Sequence, residues 1–294
     1  MISMGTEPAG TGKLYICATP IGNLGDMTPR AVETLRSVDL IAAEDTRNSI
    51  RLLNHFDIHT PMTSYHEYNR FEKAEELVNK MLAGQNVAII TDAGTPCISD
   101  PGEVLVQKCY ERGVPVTSLP GPSAVITALT LSGFSVRRFV FEGFLPPKQK
   151  KKERAAAFDR LRNETGTIVI YEAPHHLTDT LKDLADVFGK ERQIALCREM
   201  TKLHEEVIRT TIGEALLLEP RGEYVLVIAG RDPKEVDEEA AARFEEMSLE
   251  EHVELYMQKG MDRKEAMKAA AKDRGLSRRD VYNALLREEQ VTER

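Results

Sequence analysis

Four times between residues 14 and 176 a short apolar run gives way to a turn of glycine, proline and small polar residues, and then to a helix-like stretch. Apolar runs of this length read as strands buried on both faces. Strand and helix in alternation argue a mostly parallel sheet. Ligands of such sheets gather at the carboxyl ends of the strands, where these turns lie. The longest turn, Thr91–Gly102, follows Val87–Ile90 and precedes an apolar-patterned stretch from Glu103 to Tyr110. Gly94 and Gly102 permit close backbone approach, and Pro96 and Pro101 fix φ, with Pro101 suited to a first helical turn. Asp92, Thr95, Ser99 and Asp100 add side-chain oxygens. Alone, this would be a strand-to-helix connection capped by Asp100. Its companions at 19–26, 120–124 and 171–176 demand a common ligand.

Strands are expected at 14–18, 40–43, 62–65, 87–90 and 114–119. Thr28 caps a helix with Pro29 at its first position, and further helices are expected at 69–82, closed by Gly84, and at 123–131. The second half repeats the alternation, with strands at 138–142, 167–171 and 193–197. The run 224–230 closes this part as a central strand. After Gly230 the composition shifts. Residues 234–246 are rich in Glu and Ala, and helices follow at 251–257, 263–271 and 278–286, the last capped by Ser277; together they resemble a helix-turn-helix. From Lys259 to Glu288, nine Lys and Arg stand against five Asp and Glu, a bias that favours a nucleic-acid module over a dimerisation or lid subdomain.

The whole chain has net charge −8, so its surface at large is no nonspecific polyanion binder, and polyanion contact must use local patches. One such patch is Lys148, Lys150, Lys151, Lys152 and Arg154. Cations at a helix start oppose the dipole, so anion binding explains them better than a solvated face does. Cys17, Cys97, Cys109 and Cys197 lack metal-ligand spacing and read as buried free thiols of a reducing cytosol. No metal site is expected. No apolar run reaches membrane-spanning length, and residues 1–12, a Gly/Thr/Pro-rich tail expected to be disordered, lack the apolar core of a signal peptide. A cytoplasmic protein is expected.

Taken together, Thr19–Asp26, Glu44–Arg47, Thr91–Gly102, Pro120–Ala124, Gly143–Pro146, Tyr171–His175 and Arg198–Lys202 closely resemble the tetrapyrrole-methylase superfamily of S-adenosylmethionine enzymes. Within it they are similar to the branch that methylates a cytidine 2′-hydroxyl of 16S rRNA. The motifs span about residues 13 to 230, and the C-terminal helices match that branch's helix-turn-helix appendage. His176 departs from the pattern, which has arginine there; a neutral imidazole would hold phosphate less strongly. The resemblance implies two α/β domains, 13–119 and 120–232, with S-adenosyl-L-methionine in the cleft between them, and a helical RNA-binding appendage, 233–294. It also implies a homodimer acting on 16S rRNA or the assembled small subunit. It places Pro20, Thr95, Ile98, Ser123, Ala124 and Tyr171 against the cofactor, and Gly94 belongs to the same rigid wall, 94–98. Lys148, Lys150, Lys151, Lys152, Arg154, Arg278 and Arg279 are the candidate RNA contacts.

Methyl transfer from a sulfonium is an in-line displacement that chiefly needs alignment. A ribose hydroxyl also gains from a base or from a cation beside the forming alkoxide. Glu44, Asp45, Arg47 and Lys202 are the catalytic candidates, with Asp26, Glu172, His175, Arg198 and Glu206 as further polar groups at strand ends. Cys97, between Pro96 and Ile98, reads as packed, which argues against a covalent methyl relay. A dinucleotide-binding oxidoreductase is disfavoured because the first strand lacks the glycine fingerprint. Methylation of a small tetrapyrrole leaves the basic patches unused, and a non-catalytic nucleic-acid regulator leaves the polar loops unexplained.

Overall fold

The computed structural model describes residues 10–236, 239, 247–277 and 279–285. The chain divides into a unit ending at Ala229 and a second beginning at Gly230. The first unit holds two five-stranded sheets. In the first sheet, β1 (Leu14–Cys17), β2 (Leu40–Ala43), β3 (Met62–Ser64), β4 (Val87–Ile90) and β5 (Val116–Leu119) run in the order β3-β2-β4-β1-β5, all parallel. Helices α1 (Pro29–Ser37) and α2 (Thr46–His55) cover one face through Leu35 and Leu53. Helices α3 (Arg70–Leu82) and α4 (Gly102–Glu111) cover the other through Leu77 and Leu105. Cover on both faces is why the strands read as unbroken apolar runs. Thr28 caps α1, its Oγ1 accepting from Ala31 N at 3.2 Å, with Pro29 in the first turn. Of the expected tail, residues 1–9 lie outside the described residues. Gly12, assigned to that tail, is instead held: its N–H donates to Met81 O at 2.8 Å.

The second sheet comprises β6 (Phe139–Phe144), β7 (Thr167–Glu172), β8 (Gln193–Arg198), β9 (Glu206–Thr211) and β10 (Tyr224–Ile228) in the order β6-β7-β10-β8-β9. A mostly parallel sheet is expected from the sequence, and here the structure differs. Only β6 and β7 pair in parallel, and β10 enters the centre antiparallel to both β7 and β8. Burial of all five β10 residues is visible as an apolar run, but burial carries no direction. Edge strand β9, antiparallel to β8, is absent from the sequence reading because none of its residues is fully buried. Helix α5 (Ala124–Ser132) packs Val125, Ala128 and Leu129 on one face of this sheet. Helices α6 (Lys151–Leu161), α7 (Pro174–Phe188) and α8 (Ile212–Ala215) cover the other through Phe158, Leu181 and Ile212.

In the second unit, α9 (Leu249–Gln258) starts with a Ser248–Glu251 capping box, and Asp262 caps α10 (Arg263–Asp273). Ser277 Oγ accepts from Asp280 N at 3.2 Å as the helical run 279–285 begins. Leu249, Val253, Met267, Ala270, Val281 and Leu285 form this unit's own core. Most of the Glu/Ala stretch 234–246 lies outside the described residues. Among the described residues no helix is long and apolar enough to cross a membrane. All four cysteines carry free thiols.

Candidate active site

The turns expected to share a ligand converge, and hydrogen bonds lock them together. Thr19 N donates to Gly94 O at 2.9 Å and Gly94 N to Thr19 O at 3.1 Å, while the buried Thr19 hydroxyl donates to Thr91 O at 3.0 Å. Gly94 has φ +84°, a conformation open to glycine at little cost. Thr95 Oγ1 donates to Pro122 O at 2.9 Å and so ties the loop to the start of α5. Asp100, one residue before the N-cap of α4, accepts from Gly102 N at 2.7 Å, and its second oxygen takes Cys97 N at 2.7 Å. Pro101 sits at the N-cap, one place before the first helical turn expected for it. Cys97 and Ser99 are held at φ +72° and +62°. Such conformations persist for residues with side chains only where the surroundings impose them, and they gather at functional sites.

The loop after β8 answers from the second sheet. Glu199 and Thr201 also have positive φ, +47° and +65°. The Glu199 carboxylate accepts from Glu223 N at 2.9 Å and from Lys202 Nζ at 3.1 Å, and Lys202 Nζ also reaches Glu223 Oε2 at 2.9 Å. Desolvation lowers the affinity of Lys202 for its proton, but the two carboxylates together outweigh it, and its pKa stands above the ordinary lysine value. The backbone N–H of Glu223, with Lys202 and Arg198 behind it, holds the Glu199 carboxyl below the usual range against burial. A side chain at Gly22 would come within 2.5 Å of Lys202 Cγ, so the 19–26 turn lies directly against this loop.

A cleft of about 270 Å³ opens between these loops. Gly94, Thr95, Ile98, Ser123, Ala124 and Tyr171 line it, so six of the seven candidate cofactor contacts share one cleft. The seventh, Pro20, lines a separate hollow with Gly22, Leu24, Arg51, Leu52 and Asp92. Ile21, Phe144, Glu172, Glu199, Met200, Glu223 and Val225 also line it and are not among the candidate cofactor contacts. Glu223 reaches the site because antiparallel β10 begins where β7 and β8 end. The residue patterns fit S-adenosylmethionine. Ile21, Ile98, Ala124 and Val225 give apolar walls for a nucleoside, and the Glu199 and Glu223 carboxylates against the one lysine, Lys202, suit a cationic sulfonium and ammonium.

Of the four catalytic candidates, Lys202 lines the cleft, and Glu44, Asp45 and Arg47 stand at the end of β2 outside its lining. Glu44 Oε2 accepts from the Thr91 hydroxyl at 2.6 Å. Asp45 caps α2, and Arg47 grips it through Nε at 3.0 Å and Nη2 at 2.7 Å; these bonds pull the Asp45 carboxyl down to about 2. The Cys97 thiol is pushed up to about 12 by burial and by the charges of Asp100 and Glu103. Of the candidate RNA contacts, Lys151, Lys152 and Arg279 are exposed. Lys148 pairs with Asp179 and Lys150 with Glu153, each at 3.0 Å. Arg154 is buried instead, bonded to Asp183 at 2.7 Å, Pro146 O at 2.8 Å and Thr180 Oγ1 at 3.0 Å. Arg278 lies outside the described residues.

The model of the family described as Tetrapyrrole (Corrin/Porphyrin) Methylases matches residues 13–216. The chain is 47% identical over 94% of its length to the Ribosomal RNA small subunit methyltransferase I of Synechocystis sp., covering 98% of that protein. To the protein of the same description from Bacillus subtilis it is 45% identical, with 93% and 94% of the two chains covered. Among solved structures it is similar to cobalt precorrin-4 methyltransferase, a cobalamin biosynthetic enzyme, with a TM-score of 0.57, 15% identity, and 76% and 98% of the two chains covered. It is also similar to a conserved hypothetical protein from Aeropyrum pernix K1, with a TM-score of 0.59, 16% identity, and 96% and 97% covered. These two likenesses concern the fold.

Proposed function

The chain belongs to the tetrapyrrole (corrin/porphyrin) methylase family, and on that premise we propose that it methylates the 2′-hydroxyl of a cytidine in the 16S rRNA of the small ribosomal subunit. The observation that carries this reading is the likeness of nearly the whole chain, C-terminal helices included, to small-subunit rRNA methyltransferases. The basic residues of α6 and of the second unit support a polyanionic acceptor; a small tetrapyrrole would use neither. The protein works as a homodimer in the cytoplasm, on 16S rRNA or the assembled subunit.

When bound, S-adenosylmethionine supplies a methyl group already activated by its sulfonium. The chain's task is then alignment. Gly94, Thr95, Ile98, Ser123, Ala124 and Tyr171, which line the cleft, would hold the cofactor. Lys202, kept cationic by Glu199 and Glu223, stabilises negative charge on the acceptor oxygen and is no base at neutral pH. Asp45 is held by Arg47 and serves α2 as its cap. The protonated Cys97 thiol is unsuited to carrying a methyl group.

Labelled cofactor offered with 16S rRNA, small subunits and a porphyrin precursor should mark the RNA. Replacing the target nucleotide by its 2′-deoxy analogue should abolish transfer while changing RNA affinity little. Continued labelling of the deoxy substrate would make a base atom the acceptor and overturn the 2′-O assignment.

A further inference from the structure

Glu172, at the end of β7, is only 7% exposed, yet its carboxylate takes a single hydrogen bond, from Ala173 N at 2.8 Å. No cation pairs with it among the described residues. A carboxylate has room for several donors, and burying one so sparsely bonded is costly unless a ligand completes it. Glu172 also occupies a particular place. It lines the cofactor cleft and, with Phe144 and Ala173, a second hollow of about 170 Å³ beside it. The Phe144 ring is 60% exposed and rests against Tyr171, with centroids 5.4 Å apart. Tyr171 is braced in turn by Phe141 at 4.9 Å. An exposed aromatic face on a rigid support is a stacking surface for an unstacked base. Lys148 and His176 line the same hollow and bring nitrogen donors for a phosphate or sugar.

We propose that this hollow receives the target cytosine, with its ring stacked on Phe144 and its 4-amino group donating to the Glu172 carboxylate, so that Glu172 selects cytidine as the nucleotide to be methylated. The proposal rests on the rRNA cytidine reading above. A carboxylate facing the 4-position accepts from the amino group of cytosine and repels the O4 of uracil, which is the discrimination a cytidine-specific enzyme needs. Sharing a wall with the cofactor cleft keeps the attached ribose at the reacting centre.

The test uses the full chain and short rRNA fragments that carry, at the target, cytidine, uridine or a pyrimidinone ribonucleoside lacking the 4-amino group. Wild-type protein should prefer cytidine to both alternatives by roughly tenfold or more in kcat/KM. E172Q, whose amide both accepts and donates, should bring the cytidine-to-uridine ratio close to one, with cofactor affinity by calorimetry unchanged. If wild-type protein methylates the pyrimidinone target as fast as cytidine, the proposal falls, whether or not the variant folds. It falls equally if E172Q loses cofactor affinity while the ratio stays intact, because the carboxylate then serves the cofactor. Absence of 2′-O label from every RNA would instead sink the cytidine reading on which the proposal rests.

Discussion

At the scale of single residues, the site is held by conformations that few side chains tolerate. Gly94 has φ +84° and exchanges two backbone hydrogen bonds with Thr19, and its Cβ position lies 3.4 Å from Ile21 Cγ2. Valine there would carry a β-branched side chain into the left-handed region, at a cost on the order of 1–3 kcal/mol, and would crowd the wall of the cleft. Gly94→Val should therefore weaken cofactor binding by at least about tenfold in calorimetry, a loss of ~1.4 kcal/mol, while the protein still melts cooperatively. Normal affinity would remove this loop from the site. The sequence made Gly94 a candidate because glycine after a strand is a local signal. It could not show that Cys97, Ser99, Glu199 and Thr201 share that unusual backbone, since none is a residue type that announces it. Pro20 shows the reach of such signals. Its turn stands at the strand end, as expected, while Ile21 lines the cleft and Pro20 a separate hollow.

Elements show where local pattern suffices and where it misleads. Thr28-Pro29, the four-residue strands β2 and β4, and the helix from Pro174 are legible because caps, prolines and apolar runs are short-range signals. The basic start of α6 is different, because charge alone groups Arg154 with the lysines. Helical spacing separates them: Arg154 shares a face with Ala157, Phe158 and Leu161, all buried. The two kinds of cation should answer differently to mutation. Replacing Lys151 and Lys152 by glutamate should weaken RNA binding and flatten its salt dependence, with the melting temperature nearly unchanged. Arg154→Ala strips Asp183 and Thr180 of their partner and should cost about 3 kcal/mol in denaturant unfolding. An Arg154 variant as stable as wild type, or a lysine pair whose loss leaves the salt slope unaltered, would reverse these assignments.

For the whole molecule, the division at Ala229/Gly230 gives each unit its own core. Truncation after Asp232 should leave cofactor affinity intact but lower RNA affinity, and the full chain should show the steeper decline with salt. Equal affinity and equal slope would assign the last segment to dimerisation or stability. Topology is the level the sequence conceals most. The central place of β10 was legible from its apolar run, but its reversed direction depends on partners far along the chain, and with that direction the role of Glu223 stayed hidden. The same insertion imposes a schedule on a chain that emerges from its N-terminus. The first sheet has all its strands once Leu119 is made. In the second, β7 and β8 have no strand between them until residues 224–228 arrive. During synthesis the nascent chain thus carries a finished half beside one whose middle is still missing, with two apolar strand edges that need shelter until the last strand slides home.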